Sequence, residues 1–305
     1  MGMQRAITYD RTGDPGELHL SEVAVPSPAA ERALLEVHAV GINPYDVKVL
    51  TGQAPRDTPF PRGIGSDVAG IVRALGDNTG GLHVGDAVMG WGLNTLREQL
   101  VVRTSSVTLI PPALSLDTAA ALVTPSIAAT ACLRAVPLSA GDIALVPGAS
   151  GSVGWLIAQL ALRAGARVIG TSGPGARDRL AAAGITPIPY GESFAGALSD
   201  ALNGASLTAV LGAAAGDALR AGLAAGAEPG HVVTLAGEDL AQEFGVISAD
   251  TTHRSIEQVS MVAELVAARE IEFSVAATYP LADAPAAFAA VASGHGGKVV
   301  VHPQQ

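Results

Sequence analysis

The sequence predicts an α/β protein in two parts, a β-rich segment followed by a doubly wound parallel sheet. Three observations carry this expectation. The N-terminal third consists of short β-branched runs that stop at Gly, Pro, Asn or Asp. From Asp117 onward, alanine-rich helical spacing alternates with apolar strands. An apolar strand then runs into a glycine turn, residues 148–154, that opens a helix. The 305 residues are enough for two domains, each able to bury a core.

The first strands are read at residues 32–40, 68–75, 86–89 and 99–102. Asp117 is placed to cap the alanine-rich helix after it, and Ser139 to Asp142 form a turn before a strand at 143–146. A helix over 153–164 and a strand at 167–171 come next, then strands at 207–211 and 231–235 around an alanine-rich helix at 217–225. That βαβαβ order implies a parallel sheet with helices on both faces. A helix at 255–268, a strand at 271–277 and a helix at 284–292 lead to a last apolar run, 298–301. A lone strand pair needs a sheet to join, so the tail is expected to return to the first domain. The predicted boundaries are 1–116 with 270–305, and 117–269.

The net charge of −10 argues against nucleic acid as the main ligand, because capture of a phosphate backbone needs a clustered basic surface. A hydrophobic content of 49% excludes intrinsic disorder. The single cysteine, Cys132, allows no internal disulfide, four-cysteine zinc site or CxxC pair, and among apolar neighbours it reads as a small hydrophobe. Charges at Arg5, Asp10 and Arg11 precede any apolar run that could form a signal-peptide core, so a cytoplasmic protein is expected. The mean hydropathy of +0.37 makes the charge-free stretch 143–162 long enough for a membrane span. Its Pro, Gly and Ser residues divide it instead into strand, loop and helix, and no membrane is implied. The seven histidines show no HExxH spacing, so no metal site is expected.

Gly148, Gly151 and Gly154 recur every third residue, with Ala149 at the usual first glycine of a dinucleotide fingerprint. Ser150, Ser152 and Val153 complete the loop, and phosphates are expected at the helix N-terminus near Ser152 and Val153, where unpaired N–H groups attract anions. The second strand runs on to Thr171 and Ser172 with no acid before Asp178. A carboxylate there usually selects NAD, so its absence favours NADPH. Thr171 and Ser172 could bond a 2′-phosphate and Arg177 could pair with it; alternatively, Arg177 is a solvated residue of the next helix's first turn.

The succession of Gly41-Ile-Asn-Pro-Tyr-Asp-Val-Lys48, Gly65-Ser-Asp-Val-Ala-Gly-Ile-Val72 and His83-Val-Gly-Asp-Ala-Val88 resembles the medium-chain dehydrogenase/reductases. Thr130-Ala131, the glycine loop and Gly297-Lys-Val-Val-Val301 continue the resemblance over nearly the whole chain. Zinc enzymes of that superfamily carry a Cys in the first motif and a His-Glu pair in the second. Asn43, Ser66 and Asp67 stand at those positions, so the chain resembles the zinc-free, zeta-crystallin-like quinone oxidoreductase branch. The resemblance implies a GroES-like catalytic domain, a Rossmann domain, NADPH in the cleft between them and a homodimer. It places Asn43 near the nicotinamide and substrate, Thr130 on the nicotinamide side, and Thr171, Ser172, Arg177 and Tyr190 at the 2′-phosphate. Lys298 matches the lysine of the closing motif. An arginine that some members place before this motif has no counterpart in Ser293-Gly-His-Gly-Gly297.

A reductase without a metal polarises its acceptor by hydrogen bonds or takes an electron-poor one, and quinones and enones meet that condition. Asn43 can donate through its amide, and Tyr45 or Lys48 can supply a proton. Other readings stay open. Asn43 before Pro44 also suits a turn, Tyr45 a packed aromatic, and Ser66 with Asp67 a supporting wall. At the level of function the alternatives are a dedicated enoyl-thioester reductase and a non-catalytic NADPH-binding sensor.

Overall fold

In a computed structural model that describes residues 2–213, 216–294 and 297–305, the chain divides into two units. The first comprises 1–124 and 255–305, the second 125–254. His295 and Gly296 of the closing segment lie outside the described residues.

The first unit begins with β1 (Met3–Tyr9), β2 (His19–Ala24), β3 (Arg32–Ile42), α1 (Pro44–Leu50) and β4 (Arg62–Gly63). It continues through β5 (Asp67–Leu75), β6 (Ala87–Trp91), β7 (Gln99–Arg103) and β8 (Val107–Leu109). The helix α2 (Leu116–Ala135) follows, and the boundary between the units falls within it, at Pro125. The second unit holds β9 (Ile143–Val146), α3 (Ser152–Arg163), β10 (Arg167–Thr171), α4 (Arg177–Ala182), β11 (Thr186–Ile188) and α5 (Phe194–Leu202). It ends with β12 (Ala209–Gly212), α6 (Gly216–Ala224), β13 (Val232–Thr234), α7 (Glu238–Phe244) and β14 (Ile247–Ser248). The chain then returns to the first unit with α8 (Ile256–Ala267), β15 (Val275–Pro280), α9 (Ala284–Ala292) and β16 (Lys298–His302).

Period-two burial along β3 puts Ala33, Leu35, Val37 and Ala39 on one face, and the first three share a core with Val68, Val72, Leu281 and Phe288. Each fully buried aliphatic or aromatic side chain of this kind contributes about 1.5–3 kcal/mol. The larger sheet runs β15-β16-β3-β5-β6-β8, with β7 also on β3, and β1 pairs with β2 and β4 in a smaller one. β16 lies antiparallel to β3, with Val299 opposite Ile42, so the C-terminal tail does rejoin the first unit. The second unit's sheet is parallel throughout in the order β11-β10-β9-β12-β13-β14, the doubly wound arrangement. Ala144, Leu145 and Val146 of β9 are fully buried, as strands covered on both faces are. A GroES-like unit joined to a Rossmann unit is therefore the architecture.

Three expectations about elements change. The strand read at 271–277 runs from Val275 to Pro280, because the backbone N–H of Ile271 is used at the end of α8, on Leu265 O, and pairing with β16 starts only at Val275. Asp117 does not cap α2: the helix starts at Leu116, Ser115 Oγ accepts from Thr118 N at 3.1 Å, and Asp117 Oδ1 instead lies 2.8 Å from His302 Nε2. The grouping into units also departs from 116 and 270. Thr124 donates to Asp67 and α8 packs on β8, with Thr108 and Ser260 hydroxyls 3.4 Å apart, which draws both segments into the first unit. Among the described residues α2 alone is long and apolar enough to cross a membrane, and most of it is buried in the fold.

Candidate active site

The glycine turn between β9 and α3 is held from β10. Thr171 Oγ1 accepts from Gly148 N at 2.8 Å, Thr171 O accepts from Ala149 N at 3.0 Å, and Gly148 O accepts from Gly151 N at 2.9 Å. Thr171 is buried and its hydroxyl oxygen accepts from the loop, so it shapes the turn, and its O–H keeps the capacity to donate that the sequence reading used. Gly148 takes the left-handed φ of +67°, and an alanine Cβ at Gly154 would stand 2.3 Å from Gly148 O. This close approach brings the first turn of α3 onto the loop, with Ala149 buried and Ser150, Gly151, Ser152 and Val153 along a half-buried rim. The N–H groups at such a helix start lack intrahelical partners, the kind of donors that can hold an anion.

At the end of β10 the Ser172 hydroxyl is buried with no hydrogen-bond partner, while its backbone N–H donates to Ile188 O at 3.0 Å. A buried hydroxyl without a partner costs about 1–3 kcal/mol, so an arriving acceptor is favoured there. Arg177 opens α4 on the exposed surface, and Arg179 is committed to the face of Trp155, 3.9 Å from the ring centroid. Tyr190 is exposed just beyond the end of β11. The residues present therefore fit a dinucleotide bearing a 2′-phosphate.

The first unit contains a buried polar network around the turn from β3 into α1. Asn43, Asp46, Asp67 and Lys298 are exposed by only 3%, 2%, 0% and 3%. Asn43 Nδ2 donates to Asp67 Oδ2 at 2.9 Å and to Gly41 O at 3.4 Å, and Lys298 Nζ donates to Asn43 Oδ1 and, at 3.3 Å, to Asp67 Oδ2. Thr124 adds its Oγ1, 2.6 Å from Asp67 Oδ1. Asp46 accepts from Asn43 N at 2.9 Å and from Ser66 Oγ at 2.7 Å. Asn43 thus begins a helix, with Pro44 at its first position and Asp46 reaching back to it, where a turn was one of the readings the sequence left open. Its amide is spent on Asp67 and Gly41, and Lys298 points into the network. Asp67 and Ser66, read from sequence as a wall, are the acceptor and donor that organise it.

Burial pushes the Asp46 carboxyl up to about 6, reinforced by the Asp67 charge and opposed by the Ser66 hydrogen bond. The native state therefore favours the protonated acid. Its contribution is fully present below the unfolded value near 3.8 and is lost as pH rises through about 6. Wild type should lose about 3 kcal/mol over that interval relative to Asp46→Asn, which cannot ionise. Urea denaturation on either side of the interval measures this; equal pH dependence in the two proteins contradicts it.

Tyr45 and Lys48 are three apart on α1 and share its exposed face, away from Asn43 and Asp46. Thr130, in the second unit, is buried, and its Oγ1 donates to Ser126 O at 2.7 Å. Burial raises the Cys132 thiol to about 12, in keeping with a packing role.

A parallel sheet in doubly wound order with a glycine turn opening a helix, carried in one chain with a GroES-like unit, is the architecture of two-domain dinucleotide-binding proteins. Residues 29–112 match the alcohol dehydrogenase GroES-like domain, and residues 191–301 match the zinc-binding dehydrogenase family. Both matches are to families of alcohol-dehydrogenase type, and the chain's similarities fall among the quinone oxidoreductases. It is 34% identical to the quinone oxidoreductase of Homo sapiens over 177 residues, 56% of this chain and 53% of that one. The chain thus spans about half the length of that relative. A 28% identity to a phenolphthiocerol/phthiocerol polyketide synthase of Mycobacterium tuberculosis extends over 98% of the chain and 15% of the synthase polypeptide. Among solved structures, mycobacterial Rv1454c complexed with NADPH is 28% identical, with a TM-score of 0.84 and coverage of 98% and 100%. The Escherichia coli quinone oxidoreductase complexed with NADPH shares the fold at a TM-score of 0.87, 23% identity and coverage of 99% and 100%.

The donor set does not fit the zinc that one family description names. Asn43 offers an amide, Ser66 a hydroxyl, and the Asp67 carboxylate already faces the ammonium of Lys298, which occupies the place of a counter-cation. Among the described residues no group of three or more His, Cys, Asp or Glu could hold a metal ion.

Proposed function

We propose that this chain is a reductase that uses NADPH to reduce quinones or related α,β-unsaturated carbonyl compounds. The observation that carries this reading is the end of β10, where a buried hydroxyl without a partner, Ser172, precedes a cationic Arg177 and no acid intervenes before Asp178. When bound, NADPH supplies the hydride. The first turn of α3 holds the pyrophosphate through Ser152 and Val153, and Ser172, Arg177 and Tyr190 hold the 2′-phosphate. Thr130 belongs to the nicotinamide side. Lys298 and Asp67 position Asn43, and the exposed Tyr45 hydroxyl and Lys48 ammonium are the groups able to give a proton to the reduced acceptor's oxygen or enolate carbon. The quinone oxidoreductase relatives and the NADPH complex of the mycobacterial protein support this assignment.

Arg177→Ala should raise the Kd for NADPH by about ten- to a hundredfold, the worth of a lost charge-assisted pair, and leave NADH binding unchanged. Fluorescence titration with both nucleotides measures this, and an equal loss for the two contradicts the assignment. A second reading, reduction of an enoyl thioester, is supported by the polyketide synthase similarity, which spans nearly the whole chain. The protein is further proposed to be a homodimer. Its six-stranded sheet ends in the short β14, whose outer edge pairs with no strand among the described residues, the kind of edge a two-fold partner extends. A one-chain mass in light scattering contradicts that.

A further inference from the structure

The segment that joins α1 to Ser66 holds Arg56, Asp57 and Arg62, and Arg97 reaches it at Gly63; the network above uses none of these charges. Arg56, Arg62 and Arg97 are all half-buried, and among the described residues none has a carboxylate within ion-pair distance. The neighbouring Glu98 is already taken by Arg5 at 2.8 Å. Arg56 and Arg97 are fastened to one residue, Asn94, which adopts a left-handed φ of +60°. Arg56 Nη2 donates to Asn94 Oδ1, and Arg97 Nε donates to Asn94 O at 2.7 Å. Each guanidinium keeps most of its N–H groups unused. Arg62 lies over the Phe60 ring, 4.0 Å from its centroid.

In a chain of net charge −10, three partly desolvated cations without a counterion are an unfavourable arrangement. Burial, and then the charge of Arg56, holds the Arg97 guanidinium below its ordinary range. Next to Asn94 in the chain, the Thr95 hydroxyl is fully buried with no hydrogen-bond partner, close against Gly65. Guanidinium forks with N–H groups to spare call for an oxygen acceptor carrying negative charge.

The geometry points to an oxyanion site at Arg56 and Arg97, flanked by Arg62, that takes a carboxylate, phosphate or sulfonate group. Because this segment runs between the helix bearing Tyr45 and the Ser66–Asp67 pair, the acceptor reduced by this chain carries such a group. That second statement rests on the reductase reading. The site itself does not.

Two measurements separate them. The first compares NADPH-dependent turnover of 1,2-naphthoquinone with that of its 4-sulfonate, in wild type, Arg56→Ala and Arg97→Lys. The expected result is a KM about tenfold higher for the sulfonate in Arg56→Ala, and a smaller rise in Arg97→Lys, with the neutral quinone unchanged. Equal KM changes for the two quinones, or none, overturn the substrate statement. The second measures melting temperature against inorganic phosphate at constant ionic strength. The wild-type rise should shrink in Arg56→Ala and in Arg97→Lys, and a rise of the same size in all three proteins, or no rise at all, overturns the site. If neither quinone is consumed, the reductase reading fails and the phosphate arm alone decides the site.

Discussion

Lys298→Met is expected to destabilise the protein by about 3–5 kcal/mol, the cost of leaving a buried carboxylate without its cation. Asp67 is fully buried, and its Oδ2 atom receives both Lys298 Nζ and Asn43 Nδ2. Removing the ammonium strips that oxygen of its only cationic donor and releases Asn43 Oδ1 as well. The double variant Lys298→Met with Asp67→Asn removes both charges, and much of the loss should return. Chemical denaturation of the two single variants and the double gives the coupling energy. Losses that simply add would contradict a shared network.

Gly154→Ala should abolish NADPH binding and cost several kcal/mol of stability. Its Cβ would sit 2.3 Å from Gly148 O and 2.8 Å from Gly148 C, both backbone atoms that cannot swing aside. Gly151 separates the ligand from the fold. An alanine Cβ there meets nothing nearer than Gly148 O at 3.4 Å, and φ is an ordinary −80°. Gly151→Ala should therefore melt like wild type and bind NADPH at least about tenfold more weakly, because the methyl stands where the pyrophosphate approaches the backbone. Melting curves beside nucleotide titrations check both variants, and wild-type NADPH affinity in Gly154→Ala would contradict the role given to this loop.

The parts legible in the sequence are those set by local spacing. Three glycines at every third position, an apolar strand ahead of them and a helix behind mark the β9–α3 turn before its partner Thr171 is known, and the apolar run after it places β10 at its observed bounds. The Asn43 network depends instead on residues far apart in the chain. Lys298 and Asp67 are separated by 231 positions, and nothing at either one announces the other. One local signal is readable: Asn43 followed by Pro44 and, three residues on, Asp46 is a helix N-terminus pattern as much as a turn. Thr171 carries a similar ambiguity. At the end of a second strand its hydroxyl suits a ribose phosphate or the preceding loop equally, and only the register of β10 against β9 turns it onto Gly148. Arg56 and Arg97 carry no signal in the sequence, because each looks like an ordinary surface arginine until Asn94 brings them together.

The central claim is that the chain uses NADPH to reduce an electron-poor acceptor. Paired titrations with NADPH and NADH, followed by absorbance at 340 nm after addition of a simple quinone, test it most directly. The account predicts that NADPH binds in preference to NADH and is consumed once the quinone is present. NADPH that binds but stays unoxidised across quinones, enones and enoyl thioesters would contradict the reductase assignment, and the absence of binding by either nucleotide would contradict the reading of the glycine loop itself.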